Sequence, residues 1–164
     1  MTLISTKILQ EHLHFNAHGQ KELKIPLSGC AGREISVNIW SDVCSAITCD
    51  PEADEWFSRF LEQDVRLVYM PDNSGRLTDP LFGENQSPVS FADGYPFLLI
   101  SEASLMDLNK RLPVPQEMNR FRPNLVIGGC APYEEDRWRL IRVGGILFEL
   151  VKPCSRCTIT TVHP

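Results

Sequence analysis

LISTKIL (residues 3–9), LHFNA (13–17), ELKIPL (22–27), REISVNIW (33–40) and SAITC (45–49) follow one another with turn residues between them, His18-Gly19 after the second and Ser28-Gly29 after the third. Apolar and polar side chains alternate within them, as they do on the two faces of a half-buried strand. Short strands recurring about every ten residues predict antiparallel sheet, as a barrel or a sandwich. The period changes at Asp50-Pro51. Trp56, Phe57, Phe60 and Leu61 recur at helical spacing, so Pro51 to Glu62 is predicted as a helix of about three turns with Asp50 as its cap. VRLVYM (65–70) is predicted as a strand, and Asp72 to Ser87, rich in Asp, Gly, Pro, Asn and Ser, as a long loop.

The second half continues in the same manner. VSFADGYPFLLI (89–100) is predicted as strand, turn at Asp93-Gly94, and strand; Ser101 then caps a helix running through Leu105, Leu108 and Leu112 to a stop at Pro113. FRPNLVIGG (121–129), RWRLIRVGGILFELVKP (137–153) and CTITTV (157–162) are β-rich, with Gly144-Gly145 as the turn inside the second. The fold class is mostly β with two helices.

Composition sets the outer bounds. Of 164 residues, 43% are hydrophobic and 23% charged, with a formal charge of −5, an ordinary globular balance and not that of a general nucleic-acid binder. No apolar run approaches the roughly 20 residues of a membrane span, and MTLISTKILQEHLHF lacks the basic-then-apolar pattern of a signal peptide. A soluble, cytoplasmic protein without nucleic-acid or membrane partners is expected. The charge is uneven: residues 110–164 carry +4 and residues 1–109 carry −9, so the last third offers a candidate anion site. Six cysteines are too few to scaffold a chain of this size, which favours reduced thiols. Cys30, Cys44, Cys49 and Cys130, among small or apolar neighbours, are expected as buried core thiols.

Cys154 and Cys157 differ, standing in Lys152-Pro153-Cys154-Ser155-Arg156-Cys157. A structural zinc site needs more ligands, for which Cys130 and His163 are the available candidates. A thioredoxin-like pair needs a helix after it, whereas Thr-Ile-Thr-Thr-Val is β-forming. A third reading makes one thiolate a soft ligand to a cofactor metal, with Lys152 and Arg156 favouring the thiolate and pairing with an anion. On this motif alone the plainest reading is two packed thiols at a strand end. Arg120 and Arg122, ahead of Pro123 and Asn124, suit a phosphate or carboxylate, or else solvate one strand face. Glu134, Glu135 and Asp136 between Tyr133 and Trp138 are expected to form a solvated turn anchored by its aromatics, and Asp93 to form a turn.

In order, FADGYPFLLISEASLMDLN (91–109), NRFRPNLVIGG (119–129), YEEDRWRLIRVG (133–144) and VKPCSRCTITTV (151–162) resemble the MOSC domain, the molybdenum cofactor sulfurase C-terminal type. The resemblance is to the branch with the bacterial YcbX-type proteins and the mitochondrial amidoxime-reducing component. It implies a MOSC-type β-barrel with a few helices over residues 86–164, incomplete, preceded over 1–85 by part of an N-terminal β-barrel domain. It implies a reductase of N-hydroxylated compounds (amidoximes, hydroxylamines, N-hydroxylated base analogues) that binds a molybdopterin-type molybdenum cofactor and draws electrons from a flavoprotein or an iron–sulfur protein or domain. By the same resemblance Cys157 is the metal ligand and catalytic centre, while Arg122, Asn124, Ser155, Arg156 and Asp93 contact the cofactor. No Pro-x-Lys-Ser segment matching the family's phosphate-holding start is present, and the chain reads as an internal piece of a longer reductase. The alternative is a cofactor-free β-rich module with a binding or structural role.

Overall fold

A computed structural model of the chain describes residues 3–82 and 86–162. His163 and part of the expected loop at 72–87 lie outside the described residues. The chain divides into two compact units, residues 1–76 and 77–164.

In the first unit, β1 (Ser5–Leu9), β2 (His12–Asn16) and β3 (Leu23–Pro26) form an antiparallel sheet in that order, with Leu9 opposite His12 and Phe15 opposite Leu23. A second sheet orders β4 (Glu34–Ile39), β5 (Asp42–Thr48) and β6 (Val68–Tyr69). Both leading hairpins turn through two residues, the first of each pair, Gln10 and Trp40, in the left-handed region. Helix α1 spans Pro51–Leu61; Asp50 accepts a hydrogen bond from the Glu52 amide at 3.0 Å, and Pro51 occupies a position where its missing N–H costs nothing. Its inward stripe, Ala53, Trp56 and Phe57, packs on Phe15 and Leu23 to make the core. The rings meet edge-on, Phe15 to Phe57 at 5.2 Å and Trp56 to Phe57 at 4.9 Å, the arrangement their quadrupoles favour. The Trp56 indole N–H donates to the Lys21 carbonyl, so this large side chain is buried without an orphaned donor.

One cysteine expectation fails here. Cys30 and Cys49 form a disulfide, with Cα atoms 4.8 Å apart across 19 positions of sequence. The cause is register: the Thr48 amide donates to the Arg33 carbonyl and the Gly32 amide to the Thr48 carbonyl, which lays the approach to β4 along the end of β5. Gly32 has no alternative there, since a Cβ would sit 2.1 Å from the Thr48 carbonyl oxygen. Cys44 is buried as expected, Cys130 is half-buried, and Cys154 and Cys157 are exposed.

In the second unit, β7 (Leu99–Ser101) and β8 (Leu125–Ile127) pair in parallel, with α2 (Glu102–Asn109) between them in sequence. The antiparallel hairpin β9 (Leu140–Val143) and β10 (Ile146–Glu149) turns at Gly144-Gly145, Gly144 taking the positive φ that favours glycine. The mostly β class with two α-helices is the observed one. The sheets remain four separate ladders of two or three strands, and none closes into a barrel among the described residues.

Three local expectations differ. Residues 89–98 are bends and irregular chain instead of strand, as prolines at 88 and 96 remove ladder donors. Helix α2 stops at Asn109, short of Leu112, because the Asn109 amide exchanges hydrogen bonds with the Gln116 main chain at 2.8 and 2.9 Å and folds the chain back. Thr158–Thr161 is a 3₁₀ turn and not a strand; with no strand among the described residues to pair with, the Thr160 and Thr161 hydroxyls donate to the carbonyls of Cys157 and Thr158. No helix of the described residues is long and apolar enough to cross a membrane.

Because the Cys30–Cys49 bond closes a loop of 19 positions, reduction should lower the stability of the first unit by about 2–4 kcal/mol. Peptide mapping without reductant should recover the linked pair, and denaturation with and without reductant should show the loss. Two free thiols in the oxidised protein would refute the pairing.

Candidate functional site

The second unit is held together around one acidic side chain. Glu135, in the 3₁₀ turn Glu134–Arg137, is 9% exposed. Its Oε1 accepts from the Ser101 amide at 3.0 Å and from the Ser104 hydroxyl at 2.6 Å. Ser101 Oγ lies 2.7 Å from Ser104 Oγ and accepts from the Ser104 amide as the helix cap, while the Tyr133 amide donates to Ser104 Oγ at 2.7 Å. The solvated turn expected at 133–138 is therefore wrong at its middle residue. A 3₁₀ turn rotates about 120° per residue, so one of three consecutive side chains faces inward. Here Glu135 is buried, Asp136 is exposed and Glu134 is half-buried. Burial pushes the Glu135 carboxyl up, and hydrogen bonds from Ser104, its own backbone and Ser101 outweigh this, leaving it below the ordinary carboxylate range and ionised at neutral pH.

Glu135 lines a cavity of about 410 Å³ bounded also by Tyr95, Phe97, Trp138, Phe148 and Cys154. Phe97 and Phe148 meet edge-on at 5.6 Å. The Lys152 ammonium lies 4.3 Å from the centre of the Phe82 ring and 5.5 Å from that of Tyr95. Burial, with Asp79 and Glu149 nearby, raises the Tyr95 hydroxyl above its usual range, so it stays a donor.

The cysteine loop adjoins this cavity through Cys154. Arg156 spans two loops, donating from Nη2 to the Phe121 carbonyl at 2.7 Å and from Nη1 to Cys154 Sγ at 3.4 Å. Arg120 reaches the Thr160 carbonyl at 3.4 Å, and the 3₁₀ turns Met118–Phe121 and Thr158–Thr161 pack together. The structure thus brings the FRPN and CSRC segments side by side. Cys157 is an exposed free thiol at the start of the second turn, and Ser155 is exposed between the two cysteines.

Arg122 is not on a strand face, as one reading of the sequence had it. It is exposed, with φ +52°, immediately before Pro123, and its amide donates to the Asn119 carbonyl at 3.1 Å. Asn124 is exposed, but its Oδ1 accepts from the Leu98 amide at 2.9 Å and its own amide donates to the Leu98 carbonyl, which seats β8 beside β7. Asp93 is exposed in the bends ahead of Tyr95. Among the described residues no group of three or more His, Cys, Asp or Glu side chains is placed to share a metal ion. Nothing in the residue pattern singles out Tyr95, and for Ser104 the signal is a hydroxyl three residues past a capping serine.

The MOSC domain family matches residues 86–164, and the MOSC N-terminal β-barrel domain family matches residues 1–64. The chain belongs to the MOSC family. It is 35% identical over 170 residues to mitochondrial amidoxime-reducing component 1 of Danio rerio, covering 100% of this chain and 52% of that protein. To the component 1 of Mus musculus it is likewise 35% identical, with 100% and 50% covered. To mitochondrial amidoxime reducing component 2 of Homo sapiens it is 32% identical over 169 residues, with 100% and 50% covered. The chain spans about half the length of these MOSC relatives, which come from animals and not from bacteria. The cytoplasmic placement expected from the sequence is overturned, since each relative is named a mitochondrial component. That expectation rested on the lack of a membrane-length apolar run and of a signal-peptide pattern at MTLISTKILQEHLHF.

Replacing Ser104 by Ala leaves the Tyr133 amide unmatched and takes one hydrogen bond from an ionised, buried carboxylate, a loss of roughly 2–3 kcal/mol. The Glu135 carboxyl is lower in the folded protein than in the unfolded chain. Its stabilisation is complete above the ordinary carboxylate value of about 4.3 and is lost as pH falls through its lower folded value. The deficit of Ser104→Ala should therefore shrink on acidification in paired denaturation curves; a deficit that is flat with pH would show that Glu135 does not carry it.

Proposed function

We propose that this chain carries the thiolate end of a molybdenum-cofactor site in a reductase of N-hydroxylated compounds, amidoximes and hydroxylamines among them. The observation that carries the reading is the placement of Cys157, an exposed free thiol in a loop whose Arg156 is bonded to the carbonyl of Phe121, the residue before Arg122. This donor set fits the group: a soft metal takes thiolate, and the phosphate of a pterin cofactor takes arginine. The similarity to amidoxime-reducing components supports the substrate class.

The site-bearing domain runs from residue 86. In it Cys157 holds the metal and Arg122 supplies positive charge to the phosphate. Arg156, bonded to Phe121 and Cys154, fixes the loop and adds to the field, and the main chain at Ser155 faces the cofactor. Asn124 has its carbonyl oxygen committed to Leu98, which leaves its amide nitrogen as donor. Asp93 sits on the segment leading to the cavity wall. When bound, the cofactor supplies the two-electron centre at which the N–O bond is broken. Overall, R–NHOH takes up two electrons and two protons to give R–NH₂ and water, the electrons coming from a flavoprotein or iron–sulfur partner.

Produced in a host that makes the cofactor, the chain should carry molybdenum and, after oxidation, pterin fluorescence. Cys157→Ala should lose the metal by at least an order of magnitude, while Cys154→Ser keeps it. Molybdenum retained by Cys157→Ala would overturn the reading, and a folded chain with neither metal nor pterin would favour the cofactor-free module.

A further inference from the structure

In the first unit, the face of the β1–β2–β3 sheet turned away from Phe15 and the core carries two imidazoles with no part in the site around Cys157. Register fixes the rows: His12 lies between Leu9 and Pro26, and His14 between Lys7 and Lys24. Residues two apart on a strand share a face, and the two rings stand edge-on with centres 6.4 Å apart. His14 is buried, and its Nδ1 lies 3.0 Å from Glu22 Oε1. The approach is oblique, since Nδ1 is closed off from water and makes no well-aligned hydrogen bond. Even so, His14, with Asn16 and Lys24, holds the Glu22 carboxyl below its ordinary range.

A carboxylate on one imidazole nitrogen places the proton there and leaves the other nitrogen as the free lone pair, which is how metal-bound histidines are commonly held. With Nδ1 turned to Glu22, His14 offers Nε2 on the far side of its ring. His12 is half-buried and has room to turn. Two imidazoles on one ion, each bonded at about 2 Å, put their ring centres roughly 4.5–6.5 Å apart, so a modest rotation of His12 completes the pair. The flanking lysines decide which ion is accepted. Beside Lys7 and Lys24 a hard cation held by charge alone is repelled, whereas one held by nitrogen lone pairs is retained. We infer that His12 and His14 chelate a borderline transition-metal ion, copper(II) most tightly, with water completing its coordination. Glu22 stays outside the coordination as the positioning carboxylate, and a metal on Nε2 strengthens the Nδ1–H as a donor to it. The site involves neither Cys157 nor the proposed cofactor.

The test is copper(II) binding to the 164-residue chain with its accessible thiols alkylated, so that the exposed Cys154 and Cys157 do not compete. The bound ion should give the electron spin-echo signature of two imidazoles and should resist displacement by a large excess of Mg²⁺ or Ca²⁺. Glu22→Gln should weaken it roughly ten-fold, and His12→Gln or His14→Gln, each removing a ligand, by more. Lys7→Met should tighten it several-fold at low salt and less at high salt, because Lys7 acts on the ion only through charge. A His14–Glu22 pair of purely structural role would show no such gain. Circular dichroism checks that each variant is folded, and if His14→Gln is not, the half-buried His12 and the exposed Lys7 decide. Copper held as tightly by folded His12→Gln, a one-imidazole signature, ready displacement by Mg²⁺, or no uptake of copper would overturn the inference.

Discussion

Glu135 Oε1 receives two donors from opposite ends of the same short stretch, the amide that ends β7 and the hydroxyl in the first turn of α2. A carboxylate buried this deeply would be expelled or protonated without them. With them it becomes the point at which three pieces of chain are fixed: the parallel strand, the helix start and the 3₁₀ turn that leads into Trp138 and β9. Parallel pairs as short as β7 and β8, three residues each, gain little from their own ladder. Their position is set by what brackets them, Glu135 at Ser101 and the Asn124 side chain at Leu98. The walls of the cavity include β7, β8 and this 3₁₀ turn, so the polar network that stabilises the unit also shapes part of the space inside it.

The cysteine loop has a second clamp of the same type. After Leu150, whose amide still pairs with the Arg139 carbonyl, the chain leaves the hairpin and no strand among the described residues receives it. The Arg156 guanidinium then binds a main-chain carbonyl on the neighbouring segment with one nitrogen and a sulfur on its own loop with another. Arginine suits this role because its planar fork holds several donors in fixed directions, which a lysine ammonium on a flexible stem does not. The result is that the segments bearing Cys157 and Arg122, thirty-five positions apart in sequence, are joined through the Arg156–Phe121 and Arg120–Thr160 hydrogen bonds without strand pairing between them among the described residues.

What could be read from the sequence follows from the range of the interaction that decides each element. Strands β1 to β5 and helix α1 are set by alternation, turn residues and the Asp50-Pro51 cap, all local, and they appear where expected. The Gly144-Gly145 hairpin is equally local. The misses share a different cause. The Cys30–Cys49 bond depends on the register of β4 against β5, and the fate of Thr158–Thr161 on whether another strand lies alongside, neither of which a local window contains. Asn109 ends α2 by bonding to Gln116, seven positions ahead, so the leucine at 112 that extends the helical pattern is irrelevant to the helix. Glu135 was the least visible, because three consecutive acidic residues read as solvent-facing unless the two hydroxyls that receive one of them are known to be near.

The charge asymmetry has a similar resolution. The basic surplus of residues 110–164 first reads as an anion-binding surface, yet part of it is spent within the unit. Arg111 bonds to Asp107 and to the Tyr133 hydroxyl, Arg120 to Thr160, and Arg156 to Phe121 and Cys154. A guanidinium bonded to a neutral carbonyl has no opposite charge beside it to offset its field, unlike one paired with a carboxylate, and so contributes fully to the local field. Arg111, with Asp107 as partner, is largely neutralised, whereas Arg120 and Arg156 are not. These two flank Arg122 and Cys157. The sequence surplus thus overstates the number of arginines available to grip an anion directly, while the field of those that hold the two loops together falls where the thiol and the exposed Arg122 are presented.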